Sequence, residues 1–117
     1  MSGELRSTPP VKQWFHSAGH EHAPEETQQR YLDILAGFCA WTEKAPDELV
    51  QFCFLRKKAT GERFASVKRR GTMNDWIEQF VVEQGWTGKD AVANANVVRS
   101  FLIHNGVLIQ GKVWTGG

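Results

Sequence analysis

The chain has 117 residues and a mass of 13.2 kDa, which fits one domain, because two separate cores would each be too small. Hydrophobic residues make up 41% and charged residues 23% of the chain, so we expect a globular protein rather than a disordered one. No apolar run approaches the roughly 18 residues of a membrane span, and the polar N-terminus with its Pro9-Pro10 pair is no signal peptide. A membrane protein, a secreted mini-protein and a collagen-like chain are therefore excluded.

The positive charge is concentrated in one part of the chain, although the net charge is only +1. Residues 1–50 hold 4 Lys and Arg against 8 Asp and Glu, whereas residues 51–117 hold 10 against 5. Residues 56–70 alone hold 7 cations and a single acid, Glu62. Such a block is a candidate footprint for nucleic-acid phosphates, and the alternative is a solvated loop.

The first 23 residues lack sustained periodicity and are rich in Ser, Pro, Gly and His, so we expect a disordered or loosely ordered tail over 1–23. A first helix should begin near Pro24, because proline and the acids Glu25 and Glu26 suit a first turn. Apolar residues then recur at helical spacing and indicate one buried face: Tyr31, Ile34, Leu35, Phe38 and Trp41.

Three further helices are predicted in order along the chain. The second begins at Pro46 and runs into the cations Arg56-Lys57-Lys58, before Thr60-Gly61 breaks it. The third covers about 64–84, although Gly71 also permits a start at Thr72. The fourth covers about 89–105 and buries one apolar face. Strand pairing is not evident, so the sequence predicts an all-α, four-helix bundle.

Catalytic and metal-binding patterns are weak. Cys39 and Cys53 lie in apolar helical patterns, which predicts inert buried thiols and a reducing, cytoplasmic location. The cluster of His16, His20 and His22 matches no standard zinc spacing, so no metal is expected. No base, nucleophile and orienting partner emerge together. We expect no enzyme activity from this chain and no cofactor.

The helical pattern resembles the SAM-like core-binding domain of tyrosine recombinases and phage-type integrases. The first helix, Thr27-x3-Tyr31-x3-Leu35-x2-Phe38-x2-Trp41, is similar to the first helix of that domain. Pro46-Asp47-Glu48-Leu49-Val50 looks like the start of the second helix in archaeal-type members. Val98-Arg99-Ser100-Phe101-Leu102, followed by His104-Asn105-Gly106-Val107, resembles the last helix. The resemblance covers about residues 24–107, and residues 108–117 would begin a linker to a further domain.

The resemblance implies a DNA-binding module that grips a recombination site together with a second, catalytic domain. In this family the tyrosine nucleophile and its arginines belong to that second domain, so Tyr31 is expected in the core. The implied partners are double-stranded DNA and further protomers of the parent recombinase, with no membrane and no small-molecule substrate. On DNA, the cytoplasmic protein would be associated with the nucleoid.

Candidate contacts follow from charge and from the resemblance. Arg56, Lys57, Lys58, Lys68, Arg69 and Arg70 are the first choices for phosphate contacts. Arg30, Lys44, Lys89 and Arg99 are the second choices. Asn94, Asn96 and Ser100 are candidates for base contacts, should the last helix enter a groove. The core positions are Tyr31, Leu35, Phe38, Trp41, Trp76, Phe80 and Phe101.

Two other functions stay open from the sequence. A helical protein–protein interaction module would use Trp86 and Trp114 as anchors, with the basic segment as a solvated connector. An RNA-binding bundle would share the basic footprint, and the sequence does not separate it from a DNA-binding one.

Overall fold

The computed structural model describes the backbone of residues 2–110 and the side chains of residues 5–110. Within that part of the chain the fold is mostly helical, as predicted, with one small two-stranded sheet that was not expected. The helices are α1 (Ser2–Ser7), α2 (Pro9–Ala18), α3 (Glu25–Thr42), α4 (Pro46–Phe52), α5 (Val67–Glu83) and α6 (Gly88–Ile103). The strands are β1 (Phe54–Arg56) and β2 (Arg63–Ala65), and a short 3-10 turn covers His20–His22. No helix in the described range is long and apolar enough to cross a membrane.

The N-terminal segment differs from the predicted tail, because α1 and α2 pack on the other helices. Val11 and Trp14 are completely buried, and Phe15 is 6% exposed. The Trp14 Nε1 donates a hydrogen bond to Ser100 Oγ of α6 over 3.1 Å. Pro9 and Pro10 are part of the composition that predicts a tail, but they occupy the first turn of α2, where a missing N–H costs nothing. The apolar stripe of α2 covers barely two turns, too short for sequence periodicity to reveal it.

The helix α3 forms as predicted and crosses the middle of the core. Leu32, Leu35 and Phe38 on its inner face are fully buried. Tyr31 and Trp41 of the same helix are partly buried, and Trp41 Nε1 donates to Glu83 Oε1 of α5 over 3.1 Å. The chain then reverses at Glu43, which has a left-handed backbone with φ of 58°.

The second helix is shorter than predicted. The helix α4 ends at Phe52, and residues 54–65 form an antiparallel β-hairpin instead of a helical run into the cations. Leu55 pairs with Phe64, and Arg56 pairs with Arg63 across the two strands. Gly61, with φ of 72°, takes the left-handed conformation that the turn requires.

The helices α5 and α6 pack against each other and against α3. Ser66 caps α5, since its side chain accepts the backbone N–H of Arg69, so the helix begins before Gly71 rather than at Thr72. Phe80 and Phe101 are buried as predicted, whereas Trp76 is half-buried and lies 4.7 Å from the Phe52 ring. After α6, the buried side chains of Val107 and Ile109 return the chain to the core. The predicted linker over 108–117 lies largely outside the described residues, as does Trp114.

Candidate nucleic-acid interface

Seven cations of the basic block lie on or directly beside the hairpin, and we call them the basic hairpin surface. The hairpin leads straight into α5 through the single buried residue Ser66, whose N–H donates to the Cys53 carbonyl over 2.8 Å. This short connection holds the hairpin and the first turn of α5 together. The members are Arg56, Lys57, Lys58, Arg63, Lys68, Arg69 and Arg70.

Lys44 joins this surface through the ring of Phe52, at the end of α4. Its Nζ lies 5.5 Å from the ring centroid, and the guanidinium carbon of Arg69 lies 4.7 Å from the same centroid. Both side chains therefore use one aromatic ring as a platform. The structure thus brings together two predicted phosphate contacts, Lys44 and Arg69, that are separated by 25 positions in the sequence.

Three arginines of the surface are oriented by contacts with the protein itself. Arg56 donates to the Gly61 carbonyl over 3.0 Å, and the Arg63 guanidinium lies 3.8 Å from the Phe54 ring centroid. Arg70 donates to the Leu108 carbonyl over 2.7 Å. Each of these contacts uses part of a guanidinium that carries five donors, so further donors can still reach phosphate oxygens.

Lys58 and Lys68 are exposed, and their side chains make no hydrogen bond or ion pair with the described residues. Lys57 pairs with Glu62 at 3.8 Å, and both side chains are more than half exposed, so this ion pair contributes little to stability. Glu62 is the single acid of the segment. The surface therefore keeps a large uncompensated positive charge.

The position of Lys68, Arg69 and Arg70 opposes the stability of their own helix. They occupy the first turn of α5, where the helix dipole favours anions and disfavours cations. A bound anion would be attracted by both the helix terminus and these side chains. Arg69 and Arg70 are also held by contacts of the fold, with the Phe52 ring and the Leu108 carbonyl, so it is the Lys68 side chain whose unfavourable position no contact within the described residues offsets.

The remaining predicted cations lie elsewhere. Arg30 bonds to Asn94 Oδ1 over 2.9 Å and borders a groove that also contains Glu26 and Asp33, so its surroundings are acidic. Lys89 is exposed at the start of α6. These two residues do not extend the basic hairpin surface.

Arg99 is 1% exposed and therefore does not present its charge to a ligand. Its guanidinium donates to Asn74 Oδ1 over 2.8 Å, to Asn96 Oδ1 over 3.0 Å and to Glu78 Oε2 over 2.6 Å. The side chain is a clamp between α5 and α6. The structure removes Arg99 from the predicted phosphate contacts.

The candidate base contacts are engaged inside the protein. Asn94 is 9% exposed and accepts from Arg30, Asn96 accepts from Arg99, and Ser100 accepts from Trp14. The Asn94 and Ser100 contacts hold α6 to α3 and α2, and the Asn96 contact orients Arg99 within α6, so these side-chain oxygens are already used inside the protein.

Sequence reasoning missed two parts of the site. Arg63 counts toward the charge of the block but is not among the predicted contacts, and the prediction does not include the apolar pair Leu55 and Phe64. A signal was present, since two short runs with β-forming residues flank the turn residues Thr60 and Gly61. The helical prediction for the second and third helices masked it.

The two thiols lie in surroundings that disfavour their charged form. Burial raises the pKa of Cys39 to about 12 and that of Cys53 to about 11, which disfavours the nucleophilic thiolate. Within residues 5–110, no group of three or more His, Cys, Asp and Glu side chains could hold a metal ion.

Two histidines of the predicted cluster converge on Glu21, and the third packs elsewhere. His16 and His22 both approach Glu21, at 3.2 and 3.7 Å, while the His20 ring packs 4.5 Å from the Tyr31 ring. Burial, and to a smaller extent nearby His104, lower the pKa of His20.

Comparison with known proteins gives no match: the chain matches no family model, no curated protein and no solved structure.

Proposed function

We propose that the chain binds duplex DNA through the basic hairpin surface, as the core-binding domain of a tyrosine recombinase or integrase. The observation that carries the proposal is the gathering of seven cations and one acid around one hairpin and one helix start. Phosphate contacts by Lys and Arg release counterions from DNA, which drives binding and makes it depend on salt.

The helix order supports the family part of the proposal. Four helices, α3 to α6, follow one another within residues 24–107, where the sequence resembles the core-binding domain. Tyr31 is partly buried, packs against the His20 ring and lies 6.1 Å from the Trp14 ring, so it serves the core. Strand cleavage is accordingly assigned to a catalytic domain of the parent protein.

The interaction-module alternative has less support. The ring of Trp86 packs edge-on against Phe80 at 5.6 Å, so this tryptophan covers the core rather than standing free as an anchor. RNA binding would use the same cations, and competition between nucleic acids separates it from DNA binding.

The test is fluorescence anisotropy with a labelled duplex of roughly 20 bp, about two helical turns, at salt concentrations from about 50 to 200 mM. The variants are Lys58→Gln and Lys68→Gln, and the control is Lys12→Gln, an exposed cation on α2. For each lost phosphate contact, the slope of log affinity against log salt should become shallower by about 0.9. The control should keep the wild-type slope.

Absence of binding at the lowest salt would overturn the proposal. Equal slopes in Lys58→Gln, Lys68→Gln and Lys12→Gln would remove the contacts from the basic hairpin surface. Displacement of the duplex by double-stranded RNA at an equal or lower concentration than by unlabelled DNA would favour the RNA-binding alternative.

A further inference from the structure

The hairpin that carries the basic hairpin surface also exposes an apolar pair on one of its two faces. Leu55 and Phe64 are directly paired across the strands and are 37% and 38% exposed. Their neighbours in the ladder, Phe54 with Ala65 and Arg56 with Arg63, alternate with them and so point to the opposite face. On that opposite face Phe54 packs against the core, so the Leu55–Phe64 face is the outward one.

The charges around this pair indicate what covers it. The turn carries Lys57 and Lys58 at one end of the hairpin, and α5 begins with Lys68 at the other end. An apolar pair between cations fits a ligand that shows apolar groups between two rows of negative charge. The major groove of DNA does so, because thymine methyl groups lie on its floor between the two phosphate backbones.

The size of the hairpin selects the groove. Each strand has three residues, which span about 10 Å, and paired strands lie about 5 Å apart. With side chains, such a ribbon fits the major groove, which is about 12 Å wide, whereas the minor groove, which is about 6 Å wide, would have to widen to admit it.

We infer that the hairpin enters the major groove and that Leu55 and Phe64 contact the C5-methyl groups of thymine there, giving a preference for A·T-containing sites. This inference rests on the proposed function, since the cations must first hold the duplex. Lys58 and Lys68 at the two ends of the ribbon contact the bordering phosphates and fix its register without reading sequence.

The preference can be measured by removing the methyl group from the DNA alone. The probes are a roughly 20 bp alternating A·T duplex and the same duplex with deoxyuridine in place of thymidine. For the wild type we expect about a fourfold weaker affinity for the uracil duplex, the effect of losing one buried methyl contact. Equal affinities for the two duplexes overturn the inference, and they leave the proposed function intact if the salt slope remains.

The protein side is tested with the double variant Leu55→Ser/Phe64→Ser. It should bind both duplexes equally and keep the wild-type salt slope. The matched control is Ile103→Ser, an apolar side chain that is 42% exposed at the end of α6, and it should keep the thymine preference. A thymine preference that survives in the double variant overturns the inference.

Two further outcomes are distinguishable. Binding of neither duplex by the wild type rejects the inference and the proposed function together. Tight binding to vesicles of phosphatidylserine, lost in Leu55→Ser/Phe64→Ser and accompanied by no thymine preference, would make the pair a membrane contact and also overturn the inference. Because the uracil measurement uses the wild type, a double variant that fails to fold does not leave the inference untested.

Discussion

Arg99 and the cations of the basic hairpin surface carry the same charge in opposite environments. Arg99 is 1% exposed and donates to Asn74, Asn96 and Glu78, whereas the exposed side chains of Lys58 and Lys68 make no hydrogen bond or ion pair in the described part of the chain. A buried charge is tolerated only when its hydrogen bonds are satisfied, so Arg99 is committed to the fold. Exposed cations cost little in water and remain free to bind anions. Exposure and the lack of protein partners, rather than positive charge alone, therefore distinguish a cation that can bind a ligand from one that holds the fold together.

The largest effect is expected in the interior, at Trp14. Trp14→Ala removes a fully buried indole and its bond to Ser100, and should lower the free energy of unfolding by about 3–5 kcal/mol. Urea unfolding measures this loss, with Gln13→Ala on the exposed side of α2 as the control. A loss below about 1 kcal/mol, typical of a surface position, would restore the picture of a loose N-terminal tail.

A somewhat smaller effect is expected at Arg99. Arg99→Met keeps an unbranched stem but removes the guanidinium that donates to Asn74, Asn96 and Glu78, and should cost about 2–3 kcal/mol of unfolding free energy. The salt slope of DNA binding should stay at the wild-type value. Lys89→Met, at an exposed cation on α6, should leave stability nearly unchanged. An Arg99→Met protein that is as stable as the wild type but has a shallower salt slope would show that Arg99 contacts DNA rather than holding the fold.

The smallest effect concerns pH and His20. The pKa of His20 is lowered in the folded protein from its ordinary value of about 6.5. Below that pH the unfolded chain therefore binds more protons at His20 than the folded protein does. The contribution of neutral His20 to stability is therefore complete above that pH and decreases below it. Melting temperatures between about pH 7 and pH 5 should fall less in His20→Gln than in the wild type. His22→Gln, at a side chain that is 85% exposed, should follow the wild type, and equal falls in all three proteins would contradict the assignment.

The sequence predicted the helices that have long, regular stripes. The helices α3, α5 and α6 lie close to their predicted bounds, and Leu35, Phe38, Phe80 and Phe101 are buried as expected. It failed where the local signal was short: α2 has a stripe of barely two turns behind two prolines, and β1 and β2 have three residues each. The sequence prediction joined α4 and β1 into one helix, because the cations after Phe52 also suit a helix C-terminus.

The site was predicted only in part, because its charge is a local property of the sequence and its exposure is not. The charge of residues 56–70 can be counted along the chain, so the basic block and six of its seven cations were found from the sequence. The exposure of Leu55 and Phe64 was not, because it depends on the register of the hairpin. Arg99, Asn94, Asn96 and Ser100 were selected as contacts because nothing local distinguishes a buried polar side chain from an exposed one.

The sequence by itself determined a mostly helical domain and the place of its positive charge, since helical periodicity and charge are properties of neighbouring residues. The tertiary structure decided which cations remain exposed, because burial depends on partners far along the chain, such as Asn74 and Glu78 for Arg99. It also decided that α2 belongs to the core, through contacts between Trp14 and the distant residues Ser100 and Phe101. Those contacts form only when the chain is folded, after its conformational entropy has been lost, so no local sequence pattern predicts them.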